Sequence, residues 1–223
     1  MQKDVALFEI HFMIHTVIFD MDGVIVDTEP VHHYAYHQHF ELLNIDVNAE
    51  LYASFTGNST KNVYQKLKEL FKLEAEIEEL IKVKRNLFNA AFDTKEDLFL
   101  IDGVEELIHQ FHDQGKQMIL ASSASKVTIE RVFNRFNLKS YFAHIVSGED
   151  FPQSKPNPAI FIEAVRLSGV KKEQCVVIED STNGIQAAKS AGIYCIGYKS
   201  RNSKNQEYSL ADQIIENFSE IRI

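Results

Sequence analysis

The chain has 223 residues, 23 of them basic and 32 acidic, for a formal net charge of −9. So acidic a surface repels a phosphate backbone and argues against a nucleic-acid partner, and no stretch approaches the ~18 uninterrupted apolar residues of a membrane span. The length suits one large core, or one core with a small insertion. A small anionic substrate stays compatible with the charge, because local cations can dominate a pocket.

The first thirteen residues, MQKDVALFEIHFM, contain Asp4, Glu9 and His11 and lack a long apolar run, so they do not read as a signal peptide. Met13 directly precedes the first strong strand. Residues 1–12 are therefore expected to be a loosely attached extension, with Met13 as the native start. Residues 14–19 (IHTVIF) form a β-branched apolar run of buried-strand length that ends abruptly in Asp20-Met21-Asp22-Gly23. Residues 30–97 then show no strand. Tyr36, Phe40 and Leu43 share one helical face, Val63, Leu67, Leu70 and Phe71 a second, and Ile77, Leu80, Ile81, Leu87, Phe88 and Ala91 a third.

From about residue 100, short apolar runs at 117–121, 144–147, 175–178, 194–197 and 213–215 alternate with helical patterns such as Ile129, Val132, Phe133 and Phe136. Gly115 and Gly192 stand where helix C-caps are expected. Such alternation builds βαβ units and a doubly wound parallel sheet, an α/β fold. The division is a core of 1–29 and 98–223 with an inserted all-helical cap of 30–97. Cys175 and Cys195 lie in strand-like runs without metal-type spacing and are expected to be reduced structural thiols in a cytoplasmic protein. A monomer is expected.

Ligands of an open α/β sheet bind beyond the carboxyl ends of its strands. There the apolar runs end in Asp20 and Asp22, in Ser122 and Ser123, and in Glu179 and Asp180, while the run ending at Ser147 leads into Ser154-Lys155-Pro156-Asn157-Pro158. Four carboxylates this close need a counter-ion. A hard cation with oxygen ligands resolves the repulsion, and Mg²⁺ is the default beside a phosphate; zinc is disfavoured because no Cys or His joins the set. The set also holds what phosphoryl transfer needs. Asp20 can attack phosphorus, Asp22 can protonate the leaving alcohol and later activate water, Ser122 can donate to a phosphate oxygen, and Lys155 can neutralise charge. Ser123 is a further substrate-binding candidate, and with Ser125 a candidate helix cap.

DMDGVIVDTEP, the strand-end Ser122, SKPNP and VVIEDSTNGIQAAKSAG together resemble the four motifs of the haloacid-dehalogenase-like superfamily, in its phosphatase and β-phosphoglucomutase branch with a helical cap. The resemblance runs from Met13 onward. It implies Asp20 as nucleophile, Asp22 as acid and base, Ser122 and Lys155 as the phosphate pair, and Mg²⁺ on Asp20, the Asp22 carbonyl, Asp180 and Glu179. The superfamily's dehalogenases do not use a second aspartate here, so Asp22 argues against dehalogenation. In the cap, the resemblance points to His32 near the hinge, to Lys84 as a basic substrate-binding residue, and to the loop holding Gly57, Thr60 and Lys61 as the specificity loop. Mutases of the branch typically carry an arginine soon after that glycine.

Other readings compete. D-x-D-G opens calcium loops, but a strand precedes it and the twelfth position is Val31. His33 and His37, one helical turn apart, could bind metal but lack an acidic third ligand. Lys84 interrupts an apolar helical face and could instead snorkel. Hydrolysis of a phosphate monoester of a sugar or polyol is the leading expectation. A β-phosphoglucomutase-type isomerase is the alternative, and a non-catalytic phosphometabolite sensor is disfavoured because it has no use for Asp22.

Overall fold

In this computed structural model the described residues are 14–55, 58–200 and 205–223. The extension at 1–12 and Gly57 lie outside them. The first strand, β1 (Thr16–Phe19), is buried along its whole length. Val17 and Phe19 face one apolar cluster and Ile18 faces another, so the strand is covered on both sides. That is why its sequence is a continuous apolar run rather than an alternating one.

Five strands follow, namely β2 (Gln117–Ser122), β3 (Phe142–Ser147), β4 (Cys175–Glu179), β5 (Tyr194–Tyr198) and β6 (Gln213–Ile215). All pairs are parallel, in the order β3-β2-β1-β4-β5-β6. This is the expected α/β sheet, with all six predicted strands in place. The strand order reverses at β1, next to β4, which is where such a sheet opens a crevice for ligands. Phe19 pairs with Ile178 there, so Asp20 and Glu179 emerge side by side.

Between β1 and β2 the chain is helical, with α1 (Glu29–Leu43), α2 (Ala49–Ala53), α3 (Thr60–Phe71), α4 (Ile77–Thr94) and α5 (Val104–Asp113). The later helices are α6 (Lys126–Arg135), α7 (Ala159–Ser168) and α8 (Thr182–Ser190). The five-residue α2, capped by Asn48 accepting the Leu51 amide at 2.8 Å, is too short to show periodicity in the sequence. No helix among the described residues is long and apolar enough to cross a membrane.

The helical block has its own core, in which Tyr36, Phe40, Val63, Tyr64, Leu67 and Leu80 pack together. It is not isolated from the sheet. Val31, Ala35, Phe88 and Phe92, at the near ends of α1 and α4, belong to the cluster beneath β1. The two connections to the sheet run side by side, since Val26 and Leu100 form an antiparallel bridge and Ile101 donates its amide to the Ile25 carbonyl at 2.9 Å.

Candidate active site

The carboxyl ends of β1, β2 and β4 form the floor of a cleft of about 520 Å³ whose far wall is the helical block. The aspartates stand on a tight turn in which Met21 O accepts the amides of Ile25 at 2.8 Å and Val26 at 3.1 Å. Gly23 sits in that turn with φ +84°, and a Cβ there would lie 2.0 Å from Oδ2 of Asp180. Only glycine allows the loop and the carboxylate to approach so closely. Gly23→Ala is expected to cost about 1–3 kcal/mol through this conformation and the collision. An unchanged denaturation midpoint would show that Asp180 is not pinned there.

Lys155 is 5% exposed and lies between two acids. Its ammonium donates to Oδ1 of Asp20 at 2.5 Å, Oε1 of Glu179 at 2.8 Å and the Ala121 carbonyl at 3.0 Å. All three donors are thereby used. Burial alone would lower its pKa, but the charges of Asp20 and Glu179 override this and hold it above the ordinary lysine value. Burial, followed by repulsion from Glu179 and Asp22, pushes Asp20 up to about 7 against the pull of Lys155.

Glu179 is buried. Its Oε2 accepts both the amide and the hydroxyl of Ser181, at 2.9 and 3.0 Å. Ser181 in turn caps α8 by accepting the Gly184 amide. A Cβ on Gly184 would fall 1.7 Å from Oε1 of Glu179, so β4 and α8 meet closely at this acid. Both Glu179 oxygens therefore accept from protein partners, Oε1 from Lys155 and Oε2 from Ser181.

Asp22 faces the helical block. Its carboxylate accepts the Thr28 hydroxyl and lies 3.9 Å from Nε2 of His32. His32 Nδ1 is 2.6 Å from the Lys84 ammonium, which also lies over the Tyr36 ring at 4.3 Å. Lys84 is 2% exposed, so it is buried in the cleft wall and does not snorkel. Burial pushes it down to about 7 against the attraction of Asp22 and Glu29. Burial would raise Asp22, but His32, Thr28 and Lys84 together leave it lowered.

Ser123 and Lys61 line the cleft. Ser122 is fully buried at the end of β2, where its oxygen accepts the Ala124 amide at 3.1 Å and its hydrogen remains to donate. Ser125 takes the role of cap, at the start of α6. His33 and His37 stack on each other at 4.1 Å and on Tyr52, as aromatic packing.

Sequence reasoning missed Thr28, Glu29, Tyr52, Arg85 and Glu149. Tyr52 donates to Glu29 at 3.1 Å, and Arg85 pairs with Glu149 at 2.8 Å across the mouth of the cleft. For Thr28 a signal existed, since it precedes Glu29-Pro30 as the residue flanking the start of α1.

Residues 17–198 match the family model for haloacid dehalogenase-like hydrolases. The chain belongs to this family. A phosphorylated carbohydrates phosphatase of Thermotoga maritima is 32% identical over 182 residues, covering 79% of this chain and 81% of its own. The structure of CbbY from Rhodobacter sphaeroides with xylulose-(1,5)bisphosphate superposes with a TM-score of 0.85 at 27% identity, covering 93% and 96% of the two chains. That of β-phosphoglucomutase from Clostridium difficile gives 0.80 at 25%, covering 95% and 94%. One of these is named a phosphatase and another a β-phosphoglucomutase, and with the family model they make this chain a hydrolase-family enzyme.

Phosphatases of the superfamily generally use a divalent metal. Among the described residues no three His, Cys, Asp or Glu side chains already converge as a ligand set. The donor chemistry nevertheless fits a hard cation. Asp20, Asp22, Glu179 and Asp180 line the floor with Lys155 as its cation, all offered donors are oxygens, and repulsion from Glu179 and Asp22 adds to burial in lifting Asp20 to about 7.

Proposed function

We propose that the chain is a Mg²⁺-dependent phosphatase of a small phosphorylated sugar or polyol that works through an aspartyl-phosphate on Asp20. The observation that carries this reading is the clustering of buried Asp20, Lys155 and Glu179 at the switch point of the sheet, with Asp22 two residues on in the same turn and lining the same cleft. Asp20, Asp180 and the Asp22 carbonyl would hold the cation, while Glu179 holds Lys155. When bound, Mg²⁺ supplies positive charge to the phosphoryl oxygens and to the carboxylates.

An oxygen of Asp20 attacks phosphorus as the bond to the ester oxygen breaks. Asp22 gives its proton to the departing alkoxide. An incoming phosphate dianion beside Asp22 favours its protonated form, and the His32–Lys84 pair behind it is the adjacent proton store. Water then attacks phosphorus, Asp22 takes its proton, the bond to Asp20 breaks, and phosphate leaves. Ser122 donates to a phosphate oxygen, Ser123 and Lys61 line the pocket for substrate, and Lys155 keeps the Asp20 oxygen aimed and partly neutralised. Residues 30–97 act as a cap that excludes water from the first step and readmits it for the second.

A panel of phosphate esters assayed with Mg²⁺ tests this. Turnover of at least one sugar or polyol monophosphate is expected. Chelation should abolish it and added Mg²⁺ restore it, with circular dichroism unchanged throughout. Chelator-resistant turnover counts against the metal. The likeness to β-phosphoglucomutase favours a second reading, in which the phosphoenzyme returns its phosphate to a sugar. Conversion of β-glucose 1-phosphate with a bisphosphate primer, faster than phosphate release, would establish it.

A further inference from the structure

The cleft wall opposite the aspartates carries a charge pattern that phosphoryl transfer itself does not require. Asp27, Glu29, Glu78 and Glu149 line the cleft, against Lys61, Lys84 and Arg85. Two of those cations are already engaged. The Lys84 ammonium is buried on His32 at 2.6 Å, and Arg85 is paired with Glu149. Among the described residues this leaves Lys61, exposed on α3, as the lining cation that no carboxylate meets. Glu29 looks into the cleft from the first turn of α1, with one oxygen accepting from Tyr52 at 3.1 Å. Burial raises its pKa, so the site already resists negative charge. Around it stand neutral polar groups, Tyr52, Asn58, Ser59 and Thr60.

We propose that Glu29 sets substrate choice: it accepts hydrogen bonds from hydroxyls of a neutral polyol leaving group and repels a second phosphate, so the enzyme takes monophosphates in preference to bisphosphates. The inference rests on the phosphatase reading above and deepens it. A hydroxyl donating to a carboxylate makes a strong, charge-assisted bond. A second phosphate brings about −1.5 to −2 of charge to a cleft where these four carboxylates face three cations, two of them already engaged, and rejection by like charge is an efficient route to specificity.

The test measures kcat/KM with Mg²⁺ for each monophosphate that is turned over and for its bisphosphate counterpart, such as glucose 1-phosphate against glucose 1,6-bisphosphate. The wild type should prefer the monophosphate at least about tenfold. Glu29→Gln keeps the shape while removing the charge. It should lower kcat/KM for the monophosphate and bring the preference down toward one. Equal or better use of the bisphosphate by the wild type overturns the proposal, as does an unchanged preference in a Glu29→Gln protein that melts like the wild type. Should that variant not fold, the wild-type ratio decides together with Glu29→Asp, which keeps the charge and should keep the preference for the monophosphate; loss of the preference in Glu29→Asp would overturn the proposal. Failure to turn over any ester instead overturns the phosphatase reading, and this inference falls with it.

Discussion

Asp20→Asn is expected to lower turnover by at least about 10⁴-fold, because an amide oxygen is a far poorer nucleophile than a carboxylate and the neighbouring acids are held elsewhere, Asp22 by Thr28 and Glu179 by Lys155 and Ser181. The exchange is nearly isosteric, and Lys155 retains Glu179 and the Ala121 carbonyl. It also removes a buried negative charge that burial, Glu179 and Asp22 all disfavour. The thermal midpoint should therefore stay level or rise while activity disappears. Steady-state assays on the best substrate, beside a melting curve, check both halves. More than a few per cent of residual activity would remove Asp20 from its assigned role.

Lys155→Met should damage stability as well as activity. The change leaves Asp20 and Glu179, both buried, facing each other without the ammonium that lies 2.5 and 2.8 Å from them. Removing one partner from a buried ionic cluster typically costs about 3–5 kcal/mol. The pH dependence has a definite sign. Burial already holds Asp20 up at about 7 against the pull of Lys155, and without that pull it rises further above its unfolded value, so the folded protein holds its proton more tightly and gains stability as pH falls. Urea unfolding at pH 5.5 and 7.5, without divalent ions, should find the variant's deficit smaller at the lower pH. An equal deficit at both would mean that Lys155 contributes packing rather than charge balance.

The inner strands β1, β2, β4 and β5 were legible because both faces of the sheet are covered there, which makes each a short, nearly unbroken apolar run. The floor of the site was legible for a related reason, since each acid ends such a run and stands out against it. Lys84 could be found as a charge on an otherwise apolar helical stripe. What stayed hidden depends on how the helices sit over the sheet. Arg85 and Glu149 are 64 residues apart, Tyr52 and Glu29 are 23 apart, and Ser154 meets Ser59 at 2.9 Å from 95 residues away. No periodicity encodes such pairings. The engagement of Glu179 was hidden for the same reason, because it appears only once the loop carrying Lys155 folds down over β4.

The paired crossings at Val26 and Leu100 have a consequence for how this scaffold can change. Two connections one strand spacing apart, about 5 Å, allow whatever lies between them to be exchanged as a cassette without moving either end. The lower parts of α1 and α4 must keep their fit against the sheet, but most of what lies beyond Tyr36 and Leu80 packs on its own interior, with contacts such as Ser59 to Ser154 as the exceptions. New leaving-group preferences can therefore arise by recasting the distal helices, while the machinery that handles phosphorus stays untouched.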